Sequence, residues 1–145
     1  MKRFFENVTL EETETVATQI IDFLGKNRLV ALYGEMGMGK TTLTRAISYK
    51  ITGIRHATSP TFSLINAYNN IDGEPAIYHF DCYRLDRPEE LRAIGYEEYF
   101  YGDCYCFVEW PEKIKEYLPD NIAVIKIENG SDENHRNIII EISEQ

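Results

Sequence analysis

At 145 residues, 43% hydrophobic and 27% charged, the chain has the size and composition expected of one soluble globular domain. Its formal net charge of −9 disfavours a broad grip on a nucleic-acid backbone, which requires a basic face. No apolar run approaches the roughly 20 residues of a membrane span, and the opening MKRFFENVTL has no signal-peptide core, so the chain is expected to stay in the cytosol.

In chain order, residues 2–8 read as a short edge strand. Over residues 9–24, Leu10, Val16, Ile20, Ile21 and Leu24 recur near helical spacing. Thr9 and Glu12 have the spacing of a capping box, and Gly25 suits the C-terminal stop. Residues 29–33, LVALY, form an apolar run that predicts a buried strand. After it come Gly34, Glu35, Met36, Gly37, Met38, Gly39, Lys40, Thr41 and Thr42, and then a helical pattern ending near Gly53. This is G-x-x-x-x-G-K-[ST] with a strand before it and a helix behind it, the context in which the string binds phosphate. Its glycines let successive backbone N–H groups face inward, and the helix N-terminus adds its positive dipole end. Lys40 is placed to reach the β- and γ-phosphates of a nucleoside triphosphate, and the Thr41 hydroxyl to ligate Mg²⁺.

Residues 56–62 form a loop in which Pro60 biases Ser59 away from helix. Residues 62–68 alternate as a strand does and, across a polar turn, residues 76–80 repeat the pattern, predicting a hairpin. A helix is expected over 88–93, with Pro88 in its first turn, and another over 111–117. Between them residues 105–108 read as a strand, and 122–127 with 137–142 as a C-terminal antiparallel pair. The pattern predicts an α/β fold, a mixed sheet flanked by helices. Cys82, Cys104 and Cys106 are odd in number and lack a second pair to complete a zinc site, so all three read as structural.

A phosphate loop needs an acid opposite it, usually at the end of an apolar strand. Asp81 and Glu109 both qualify, and either carboxylate can hold the metal or orient the attacking water. Thr58, Ser59 and Thr61 lie on the loop where nucleotide-hydrolysing P-loop proteins tend to carry a segment that responds to the γ-phosphate; an ordinary Ser-Pro turn explains the same residues. Trp110, the only tryptophan, reads as a core anchor or as a partner hot spot, and Arg84 by default as half of a surface ion pair, with reach to a phosphate as the alternative.

The strings GEMGMGKTTLTRA, SPTF, YHFDCYRLDRPEELRAIGYEEYF and EWPEK, in that order and spacing from about Thr13 to Pro119, resemble the TsaE family. These are small P-loop ATPases of bacterial tRNA threonylcarbamoyladenosine biosynthesis. The resemblance implies that the chain binds and hydrolyses ATP with Mg²⁺ and associates with TsaB and TsaD. TsaD transfers threonylcarbamoyl to N6 of adenosine 37 in tRNAs decoding codons that start with A, so tRNA is met only through the complex. It implies roles for Lys40, Thr41 and Thr42 on the phosphates, Glu109 beside the metal, and Asp81 and Thr61 around the γ-phosphate. It also implies a functional role for Trp110 and a place near the adenine for Thr13. Glu35, Met36 and Met38 depart from the family's commoner residues, but at positions where the backbone is used. The Gly-Arg often seen near the C-terminus is not intact, Gly130 and Arg136 standing apart, so no role passes to Arg136. A small-molecule kinase using the same loop is the alternative, with Arg84, Arg87 and Arg92 as lid candidates. A GTPase-like switch ranks last, because no N/T-K-x-D string occurs.

Overall fold

A computed structural model describes residues 1–35, 37, 39–55 and 64–143. Its seven strands are β1 (Lys2–Val8), β2 (Leu29–Tyr33), β3 (Ile65–Asn69), β4 (Pro75–Asp81), β5 (Tyr105–Glu109), β6 (Ala123–Asn129) and β7 (Arg136–Glu141). They form one sheet in the order β1-β7-β6-β2-β5-β4-β3. The four central strands β6, β2, β5 and β4 run parallel; β3 pairs antiparallel with β4 at one side, and at the other β7 pairs antiparallel with β6 and β1 antiparallel with β7. The sheet is therefore mixed and helix-flanked, as its sequence pattern predicts.

Strand alternation sends Val30 and Leu32, Ile77, Phe107, and Ala123, Ile125 and Ile127 to one face. There they meet the apolar stripes of α1 (Thr13–Leu24) and α2 (Lys40–Thr52), built on Val16, Ala17, Ile20, Leu24, Leu43 and Ile47. Leu29, Phe80, Cys106 and Val108 point the other way and are covered by α3 (Glu90–Ala93), α4 (Tyr96–Phe100) and a 3₁₀ segment (Pro111–Tyr117). Among the described residues no helix is long and apolar enough to cross a membrane.

The differences from the sequence-based expectations are local. The first helix begins at Thr13, not Thr9. The Glu12 carboxylate accepts from the Thr9 N–H and also from the Thr9 hydroxyl, at 3.0 and 2.9 Å. The hydroxyl is thereby spent as a donor, and a turn intervenes before the helix. Residues 111–117 form a 3₁₀ segment interrupted at Ile114, where φ is −131°. Of the strand expected over 62–68, Phe62 lies outside the described residues and Ile65–Asn69 is strand. Helix α4, which starts after a left-handed Gly95 at φ 68°, has no counterpart in the sequence reading.

The thiols divide by burial. Desolvation, followed by the nearby Asp81 charge, pushes Cys82 up to about 12, and burial also raises Cys106. Cys104 is partly exposed, 3.2 Å from the Pro75 carbonyl oxygen. Because the thiolate is the reacting form, a disulfide reagent at about pH 8 should titrate Cys104 rapidly in native protein. Cys82 and Cys106 should react only after denaturation. Rapid loss of all three thiols would show that the core around Phe80 and Val108 opens readily.

Candidate functional site: the carboxyl edge of the parallel strands

Parallel α/β sheets bind ligands beyond the carboxyl ends of their strands. Here β2 ends at Tyr33, β5 at Glu109 and β4 at Asp81, with Leu32 and Asp81 each in register with Glu109. The chain leaves β2 through Gly34, where an added Cβ would sit 3.2 Å from the Ile127 carbonyl oxygen. A side chain there would need the loop and β6 to part by a few tenths of an ångström. At the far end Gly39 is left-handed, φ 91° and ψ 18°, and turns the backbone directly into α2. Among the described residues no side chain caps that helix, so the N–H groups of its first turn keep the capacity to bind an anion.

Lys40 is buried at this first turn, and its ammonium lies 4.3 Å from the centroid of the Trp110 ring. Trp110 itself is left-handed, with φ 57° and ψ 48°, uncommon for a bulky side chain and a local strain. Its ring also packs at 5.1 Å against Tyr83. Thr41 is exposed and Thr42 partly buried. Glu35 and Gly37 are exposed along the loop. Met36, Met38, Thr58, Ser59 and Thr61 lie outside the described residues.

The two acids sit side by side but face different partners. Asp81 accepts from the Tyr83 N–H at 3.3 Å, capping the short turn Cys82–Arg84, and pairs with the Arg84 guanidinium at 3.1 Å. Arg84 is thus half of an ion pair, as expected. Glu109, its side chain 12% exposed, faces the buried His79, with Oε2 3.2 Å from Nε2. Burial alone would raise the Glu109 pKa; the His79 ring, and then the Lys40 ammonium, outweigh it and hold the carboxyl below its ordinary value.

Thr13 opens onto a recess of 140 Å³ shared with Gly39, Thr42, Leu43, Asn134 and Arg136. The position tied to the adenine by resemblance is therefore continuous with the end of the phosphate loop. Arg136, to which the sequence reading gives no role, lines the same recess and donates to the carbonyls of Glu133 and His135. On the other side of the loop a cleft of 460 Å³ runs between Gly34, Trp110 and the end of β6.

His79 and its neighbour Tyr68 are absent from the sequence-derived site. Period-two alternation carries the signal: counting back from Asp81, residue 79 shares its face.

The family model for the threonylcarbamoyl adenosine biosynthesis protein TsaE matches residues 8–138. The tRNA threonylcarbamoyladenosine biosynthesis protein TsaE of Bacillus subtilis is 36% identical over 129 residues, covering 89% of this chain and 79% of the relative. The Haemophilus influenzae protein of the same name is 43% identical over 104 residues, covering 72% of this chain and 65% of the relative. The crystal structure of Bacillus subtilis YdiB is similar with a TM-score of 0.76 and 32% identity, covering 98% of this chain and 86% of that chain.

Proposed function

The chain belongs to the TsaE family of threonylcarbamoyl adenosine biosynthesis proteins, and from that premise we propose that it binds and hydrolyses ATP with Mg²⁺ in support of TsaB and TsaD. The reaction served is formation of N6-threonylcarbamoyladenosine at position 37 of tRNAs decoding codons that start with A. One observation carries the reading. An uncapped helix start, a buried lysine and a partly buried carboxylate held ionised converge where β2 and β5 end. An anionic ligand fits the first two, and a hard divalent cation fits oxygen donors such as Thr41 and Glu109.

In this reading Gly34, Glu35, Met36, Gly37, Met38 and Gly39 wrap the phosphates with their backbone. Lys40 draws on the β- and γ-oxygens, while Thr41 and Thr42 serve the phosphates from the start of α2. Mg²⁺, which Thr41 and Glu109 would hold, would supply positive charge to the phosphates. Glu109, 3.2 Å from His79, would stand beside the metal, and its ionised carboxylate would accept from the attacking water. Asp81, pinned by Arg84 and the Tyr83 N–H, is the outer acid. Thr61, by resemblance, serves the γ-phosphate. Thr13 and its recess take the adenine side. Trp110 supports the Lys40 head. The net charge of −9 suits a chain that leaves tRNA contact to its partners.

The deciding experiment is the rate of ATP hydrolysis by the protein alone and with TsaB plus TsaD, alongside Lys40→Ala and Glu109→Ala. Stimulation by the partners that both substitutions remove is the expected result. Failure to associate with TsaB and TsaD in either nucleotide state, with no stimulation, would sink the reading. Phosphorylation of an added metabolite at an enzymic rate would replace it with a kinase.

A further inference from the structure

We propose that His79 is a positioning residue for Glu109, presenting its Nε2–H to the carboxylate in a tautomer set by the Tyr68 hydroxyl. The proposal rests on the reading of Glu109 as the acid of an ATP-hydrolysing site.

His79 sits two residues before the end of β4, opposite Phe107 in the β4–β5 ladder, so it shares a face with Asp81 and points along the sheet towards Glu109. It is only 9% exposed. Its Nε2 lies 3.2 Å from Glu109 Oε2, and Nδ1 lies 3.4 Å from the Tyr68 hydroxyl. The Tyr68 and His79 rings stack at 29° with centroids 6.2 Å apart, which limits rotation of the imidazole.

An ionised carboxylate only accepts hydrogen bonds, so the ring nitrogen facing Glu109 must carry the proton. A neutral imidazole has one N–H, which leaves Nδ1 as an acceptor for the Tyr68 O–H. The order of donation is then Tyr68 to His79 to Glu109, the arrangement in which an outer residue fixes the tautomer of an imidazole that orients a reacting group.

One further observation separates this from a histidine that merely fills the core. Although Nε2 and Oε2 are close, they are not aligned as a hydrogen bond, and Nε2 has no other partner among the described residues. Buried donors are nearly always satisfied, and catalytic hydrogen bonds tend to tighten only when a site is loaded. The ring nitrogen already lies 3.2 Å from the Glu109 carboxylate that can complete it.

Two readouts test the assignment. Ring ¹⁵N spectra of the nucleotide-free protein should show His79 protonated at Nε2 and bare at Nδ1. Tyr68→Phe should weaken that preference, and Glu109→Gln should shift the Nε2–H resonance. A His79 ring bare at Nε2, or one indifferent to Glu109→Gln, overturns the proposal, whatever the enzyme does. In steady-state hydrolysis, His79→Ala should lower kcat by roughly 10–100-fold, as for outer partners of a ligand, with nucleotide affinity held within about twofold. His79→Gln, which restores an N–H donor in place of Nε2, should recover most of the rate. Unchanged kcat in His79→Ala, or no recovery in His79→Gln, overturns the positioning role while leaving the ATPase reading intact. A wild-type protein inactive with TsaB and TsaD removes the ATPase reading instead, and the spectra then decide the Tyr68–His79–Glu109 order independently.

Discussion

Lys40→Ala is expected to weaken ATP binding by at least about 30-fold without unfolding the protein. Truncating one member of a desolvated, hydrogen-bonded charge pair costs about 2–5 kcal/mol, or roughly 30-fold to several-thousand-fold in affinity. The lysine is buried at the first turn of α2, so solvent screens little of its attraction for a polyphosphate. In the protein without nucleotide its main visible contact is the face of Trp110 at 4.3 Å, an interaction of about 0.5–2 kcal/mol that is opposed by the cost of burying an ammonium. Loss of the side chain should therefore leave the melting temperature nearly unchanged. A ligand at about 100 times its Kd stabilises the folded state by about 2.7 kcal/mol. At the same ATP concentration that rise should be present in wild type and largely lost in the variant. Titration calorimetry and thermal melts with and without ATP check both halves. Wild-type affinity in Lys40→Ala would place the triphosphate elsewhere on the molecule.

Phe107→Ala should be among the most damaging of the simple core truncations, costing about 3–5 kcal/mol. Phe107 is fully buried on central strand β5, in register with Val30 on one side and His79 on the other. Neither neighbouring strand can close on the void without breaking its own ladder. Domains of this kind hold about 5–15 kcal/mol in total, so the variant should lose a large share of its stability. Urea denaturation should show a lower midpoint with an unchanged slope. Ile139→Ala, on partly exposed β7, should cost clearly less. Equal losses would mean that the two faces of the sheet are packed alike.

What could be read from the chain and what could not divide by sequence distance. The phosphate loop is a local string whose glycines and lysine announce their chemistry, and the strands around it carry their own apolar patterns. Asp81 and Glu109 were each recognisable at a strand end, but their pairing depends on β4 lying beside β5, which no local pattern specifies. The same holds for Glu109 facing His79 and Asp81 facing Arg84, since a side chain's choice among neighbours is settled by packing. Thr9 and Glu12 show a different failure. The spacing was right and the contact forms, yet the hydroxyl donates to the carboxylate and leaves the backbone N–H, delaying the helix by a turn. Helix α4 was missed because YEEYF carries too few turns to show a period, and its start depends on Gly95 being left-handed. Strand order was also beyond local reading, because β2 is flanked by strands drawn from much later in the chain.

That flanking has a consequence for the protein as it is made. The strand that launches the phosphate loop is hydrogen-bonded on one side to β5 and on the other to β6, and Gly34 rests against the carbonyl of Ile127. The glycine-rich string and its lysine have left the ribosome long before either of the strands that flank β2. A nascent chain halted ahead of Ala123 carries the whole glycine-rich string but lacks β6, one of the two strands that flank β2, so the frame around that loop is completed late in synthesis.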